Sequence, residues 1–125
     1  MNLPKHYQQV MPYLILKKIP EFMEFTKHVF DAKVLSVHKD MKGRVVHGEI
    51  TIGNATIMMG ESGGNWEVQN AGLFIYVENA DETYAKALEH GATEVTTLED
   101  HEYGRSGGVK DPFGNVWWIT GVNSD

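Results

Sequence analysis

The chain has 125 residues, 42% hydrophobic and 22% charged, which is the balance of a soluble globular protein long enough to bury one real core. Its lack of cysteine excludes disulfides, thiolate nucleophiles and Cys-ligated zinc or iron–sulfur sites. A net charge of −6 without a clustered basic face argues against nucleic acid, and no apolar run resembles a membrane span or a leader peptide, so a cytoplasmic protein is expected.

Residues 1–10 are polar and read as an arm or frayed end. Tyr13-Leu14-Ile15-Leu16 reads as a first strand. Pro20 suits the first turn of a helix, and Ile19, Phe22, Met23, Thr26, Val29 and Phe30 recur at three-to-four spacing until about Asp31. A second strand is expected over 34–39, followed by a turn at Lys42-Gly43. Residues 45–52 alternate: Val46, Gly48, Ile50 and Ile52 share one face, and His47, Glu49 and Thr51 share the other. Gly53-Asn54 turns the chain back into a fourth strand over 55–61, and Ser62-Gly63-Gly64-Asn65 is a loop with Trp66 on it. A fifth strand is expected over 73–77. Asn79, with Glu82 three residues on, starts a second helix whose apolar face is Tyr84, Ala85, Ala87 and Leu88, and Gly91 stops it. Three further strands are expected over 93–98, 108–110 and 116–120.

Each half therefore runs strand, helix and three strands. Slid by about sixty residues, Pro20-Glu21 falls on Ala80-Asp81, Ala32 on Ala92, and Gly53-Asn54 on Gly114-Asn115, the signature of an internal repeat. The expectation is an α+β protein of two tandem βαβββ modules in one domain, residues 1–125, with module one at about 10–61 and module two at about 71–122.

The segment Val109-Lys110-Asp111-Pro112-Phe113-Gly114-Asn115-Val116-Trp117-Trp118-Ile119 carries a turn with a physical logic. Asp111 can cap backbone N–H groups, Pro112 presets its φ, and Gly114 admits a left-handed conformation. Two βαβββ units closing on this Asp-Pro-Phe-Gly-Asn turn resemble the vicinal oxygen chelate superfamily, the glyoxalase/bleomycin-resistance/dioxygenase fold. Tyr103-Gly104-Arg105 upstream is similar to its glyoxalase-like branch. The resemblance implies a curled mixed β-sheet cleft with helices packed outside, and a homodimer. It also implies a divalent metal held by His and Glu on the first, fourth, fifth and eighth strands. The matching positions fall at Tyr13, near Ile57, at Gly72 or Leu73, and at Trp118. None is a usual ligand for a hard or borderline ion, so no metal and no cofactor are expected.

Strand alternation assigns Tyr13, Ile15, Ile57, Met59, Phe74, Tyr76 and Trp118 to the cleft face, and Leu14, Leu73, Ile75, Trp117 and Ile119 to the helices. An aromatic and Met-lined concavity suits a flat, apolar or cationic organic molecule. The same residues would equally fill the inside of two curled sheets. His47 and Glu49 can be a general base with its orienting partner, half of a metal site, or simply the polar face of a strand. Arg105 can clamp an anionic group of a ligand, or pair internally with Asp111 or Glu102. The run Glu99-Asp100-His101-Glu102-Tyr103 reads as an acidic loop. The leading expectation is a small-molecule-binding protein of the bleomycin-resistance type without a catalytic metal, with Tyr13, Ile57, Met59, Phe74, Tyr76, Trp118, Arg105 and Glu49 around the ligand. The alternative is a metal-dependent lyase, isomerase or dioxygenase with a relocated site on His47, Glu49 and Glu61. A third reading has no small ligand, only a structural or regulatory partner.

Overall fold

A computed structural model describes residues 1–122. Along the chain run β1 (Tyr13–Leu16), α1 (Ile19–Phe30), β2 (Lys33–Lys39), β3 (Val45–Ile52), β4 (Ala55–Glu61), β5 (Gly72–Val77), α2 (Ala80–Glu89), β6 (Thr93–His101), β7 (Gly104–Lys110) and β8 (Val116–Gly121). The chain divides into two compact units, residues 1–70 and the remainder from residue 71. Each is a four-stranded mixed sheet with one helix, ordered β1-β4-β3-β2 in the first and β5-β8-β7-β6 in the second. In both, the strand before the helix pairs in parallel with the last strand of the unit, and the other pairs are antiparallel. The fold is therefore α+β, with the βαβββ plan used twice.

In the first unit α1 buries Ile19, Phe22, Met23, Phe25, Val29 and Phe30. It covers the sheet face that carries Leu14, Leu16, Ile50, Ile57 and Met59, all buried. Gly48 on that face is flush under the Met23 and Ile19 side chains, so any β-carbon there would collide with them. The helix ends at Asp31, where its periodicity stops, and that residue takes a left-handed conformation (φ 57°). Thr26, buried within the helix, is satisfied by the carbonyls of Phe22 and Met23.

In the second unit α2 starts with Asn79, whose side chain accepts from the Glu82 N–H at 3.0 Å. Tyr84 and Ala87 pack on Val109, Trp117 and Ile119, all buried. The Tyr84 hydroxyl donates to Glu94 Oε2 at 2.9 Å, and burial beside that carboxylate pushes its phenol up to about 12. The β7–β8 turn is held by buried Asp111. It accepts from the N–H groups of Phe113 and Asn115, from Asn115 Nδ2 and from Trp117 Nε1, all at 2.9–3.0 Å. Gly114 there takes φ +99°, the left-handed conformation the sequence demanded.

Two expectations are corrected. Residues 99–103 are not a loop: β6 runs to His101 and β7 starts at Gly104, so the acidic run is the tip of a long hairpin. β6 is a sheet edge with a nearly all-exposed pattern and two register shifts, so burial never imposed an apolar alternation on it. The amino-terminal arm is not frayed either. Tyr7, Gln8 and the His6 carbonyl are hydrogen-bonded to Glu49, Thr56 and the Asn54 carbonyl. No helix among the described residues is long and apolar enough to cross a membrane.

Candidate functional site

Side chains alternate across a strand, so register decides which of them share a face. In the first unit Tyr13 pairs with Met58, Met58 with Glu49, and Glu49 with Ser36, so these four form one rung across the face turned away from α1. In the second unit the corresponding rung is Phe74, Trp118, Gly108 and Thr96, on the face turned away from α2.

The polar groups of the first rung are connected through neighbouring side chains: His47 joins Glu49 to Tyr13, and Tyr7 extends the chain beyond Glu49. Glu49 is only 5% exposed, yet it is well satisfied. Tyr7 Oη donates to its Oε1 at 2.6 Å, and His47 Nε2 lies 2.8 Å from its Oε2. The other imidazole nitrogen, Nδ1, lies 3.1 Å from Tyr13 Oη. An ionised carboxylate can only accept, so Nε2 carries the hydrogen, and in the neutral ring the lone pair of Nδ1 faces the Tyr13 hydroxyl. Burial is the largest single influence and pushes the Glu49 carboxyl up. The hydrogen bonds from Tyr7 and His47, the neighbouring Ser36 hydroxyl and the attraction of His47 together outweigh it and leave the carboxyl below its ordinary value. Donating to Glu49 in turn raises the Tyr7 phenol. The His38 ring sits beside His47, centroids 5.4 Å apart.

The second rung is aromatic. The Trp118 ring lies on Gly108, where a β-carbon would come within 2.5 Å of Cζ3. Phe74 stands 5.3 Å from Tyr76 and 6.1 Å from Tyr103, and Tyr103 stacks on His101 at 5.0 Å. Phe74, Tyr76 and Tyr103 are each more than half exposed in spite of these contacts.

The expected site residues are thus redistributed. Tyr13 and Glu49 are joined through His47, and Phe74, Tyr76 and Trp118 lie together on the second unit. Ile57 and Met59 are corrected: both are buried on the helix face, because β1 pairs Tyr13 with Met58 and shifts the β4 alternation by one residue. Arg105 is corrected as well. Its register partner Gly121 packs against Ala80 of α2, and its guanidinium grips Asp81 with Nε at 2.8 Å and Nη2 at 3.1 Å, and Asp100 at 3.3 Å. It ties β7 to the start of α2, away from the aromatic face. The relocated trio separates too: Glu61 is on the helix-face alternation of β4, with Arg44 at 4.0 Å, while His47 and Glu49 point the other way. Tyr7 was missed, since nothing in a polar arm signals a partner 42 residues distant.

Of the positions implied for a metal, Tyr13 and Trp118 face away from the helices with Met58 and Phe74 as their register partners, while Ile57 and Leu73 lie on the helix-face alternation. A phenol, a thioether, a phenyl ring and an indole do not fit an ion that takes imidazole and carboxylate ligands. Among the described residues no three His, Asp or Glu side chains gather as a metal site.

The sequence matches the Glyoxalase/Bleomycin resistance protein/Dioxygenase superfamily over residues 5–119. An uncharacterized protein of Mycobacterium bovis is 30% identical over 118 residues, spanning 85% of this chain and 78% of the relative. One from Mycobacterium tuberculosis is also 30% identical, over 85% of this chain and 69% of the relative. TioX from Micromonospora sp. ML1 superposes with a TM-score of 0.73 at 20% identity, covering 94% of this chain and 98% of TioX. The fosfomycin resistance protein FosX from Mesorhizobium loti gives 0.67 at 14% identity, covering 94% and 92%. At such identities the structural likeness speaks for the fold alone. With the tandem βαβββ plan and a match spanning nearly its whole length, the chain belongs to the glyoxalase/bleomycin resistance/dioxygenase superfamily.

Proposed function

We propose that this protein binds a flat organic molecule on the open aromatic face of its second unit, by stacking and shape and without a catalytic metal. The observation that carries this reading is the exposed cluster of Phe74, Tyr76 and Tyr103 beside Trp118. Single exposed aromatics are ordinary, but a contiguous set on a sheet face and its adjoining hairpin turn is a binding surface in search of an apolar partner. The rings are rigid, so stacking costs little side-chain entropy. With a net charge of −6, the ligand is neutral or cationic, the latter gaining from cation–π contact. The expected homodimer and cytoplasmic location belong to the same proposal, and light scattering reads the former.

Trp118→Ala tests the proposal. Affinity for planar probes such as proflavine should fall at least tenfold, the scale of an aromatic anchor. The melting temperature should fall only a few degrees, since the ring is part-buried rather than enclosed in the core. A collapse of stability, or unchanged affinity, would make Trp118 core and remove the site.

A further inference from the structure

The polar rung of the first unit holds groups that stacking on the second unit does not use. Tyr7, Glu49, His47 and Tyr13 form an unbroken chain of hydrogen bonds, with the buried carboxylate inside and a half-exposed phenol at the far end. The order of partners sets the direction of proton flow. Glu49 holds Nε2–H, so in the neutral ring Nδ1 is aimed bare at the Tyr13 hydroxyl, as an orienting carboxylate and imidazole base are aimed at a nucleophile. Gly60 makes this possible. A β-carbon at Gly60 would lie 2.9 Å from Tyr13 Oη and 3.3 Å from Cε1, so only a glycine lets the ring lie low enough to reach His47.

We infer that Tyr13 is an activated nucleophile toward uncharged acyl-type electrophiles, with His47 as its general base and Glu49 as the positioning residue. As the Tyr13 oxygen bonds to the acyl carbon, its O–H bond breaks and the proton passes to His47 Nδ1. The Glu49 carboxylate holds the resulting imidazolium. The electron pair of the bond to the leaving group departs with that group, and an ester remains on Tyr13. The carboxylate behind His47 and the negative net charge disfavour anionic electrophiles. The inference stands apart from the ligand site of the second unit, and either can fail without the other.

Treating the intact protein with 4-nitrophenyl acetate, followed by peptide mapping, tests it with internal controls. Tyr76 and Tyr103 are 57% and 53% exposed, against 50% for Tyr13, so exposure alone would label all three alike. The expected result is acetylation of Tyr13 at least tenfold faster than of the other two. His47→Gln should slow Tyr13 about 100-fold, the usual worth of a general base, and leave Tyr76 and Tyr103 unchanged. Glu49→Gln should slow Tyr13 and move the His47 hydrogen from Nε2 to Nδ1, read by 15N NMR, which a merely structural carboxylate would not do. If His47→Gln does not fold, Tyr13→Phe replaces it, and the fast release of nitrophenolate must vanish. Equal labelling of the three tyrosines, a Tyr13 rate indifferent to His47, a fast phase surviving Tyr13→Phe, or stable acetyl on His47 overturns the inference.

Discussion

The two units fill one rung of one fold with opposite chemistry. In the first, Tyr13, Met58, Glu49 and Ser36 bring a buried carboxylate and a hydroxyl into line, with His47 bridging them. In the second, Phe74, Trp118, Gly108 and Thr96 take the same places, so that a phenyl ring stands for Tyr13 and a glycine for Glu49 and no ionisable group is left. Backbone topology is the same in both, so the difference lies in side chains alone. Glycine placement follows the change. Gly60 makes room for Tyr13 in one unit and Gly108 seats Trp118 in the other, each one strand away from the ring it accommodates. A duplicated fold thus carries one hydrogen-bonded face and one aromatic face.

The largest expected effect breaks the polar rung. Glu49→Leu leaves the Tyr7 hydroxyl and the His47 Nε2–H without an acceptor and should cost about 3 kcal/mol in urea unfolding. Gly108→Ala attacks the aromatic rung and should cost about 2 kcal/mol, because the indole on the glycine must move. The same variant should lose ligand affinity. Gly60→Ala should cost less, about 0.5–1 kcal/mol, since its nearest neighbour is the tip of a half-exposed ring that can swing away. It should nonetheless break the contact between Tyr13 and His47.

Acidification separates the rungs more gently. The folded Glu49 carboxyl lies below its ordinary value of 4.5, so the folded state binds its proton less readily than the unfolded chain does. Its contribution is complete above that ordinary value and is lost as pH falls through the folded value. Stability measured downward from pH 6 should therefore drop more steeply in the natural protein than in Glu49→Gln. Parallel curves would mean that the carboxylate gains nothing from Tyr7 and His47.

The sequence made the strands legible wherever one face was apolar and the other polar. β3 is the clearest case, and its assignment of His47 and Glu49 to one face is realised as a hydrogen bond. β4 defeated the same logic because Ile57, Met58 and Met59 are all apolar, so only pairing with β1 decides which of them faces away from the helix. β6 was read short because it is an exposed edge, and Tyr7 was invisible because its partner is remote in sequence. The Asp111 turn was legible because its chemistry is local: every group that Asp111 accepts from lies within six residues.

The most direct measurement is the 19F NMR spectrum of protein carrying 5-fluorotryptophan, titrated with a cationic, a neutral and an anionic planar probe. Substitution assigns the resonances of Trp66, Trp117 and Trp118. The Trp118 line should shift with the cationic or neutral probe, while Trp117, only 1% exposed beneath the helix, stays in place. A spectrum in which no probe moves Trp118, or in which Trp66 alone responds, would contradict a ligand site on the aromatic face.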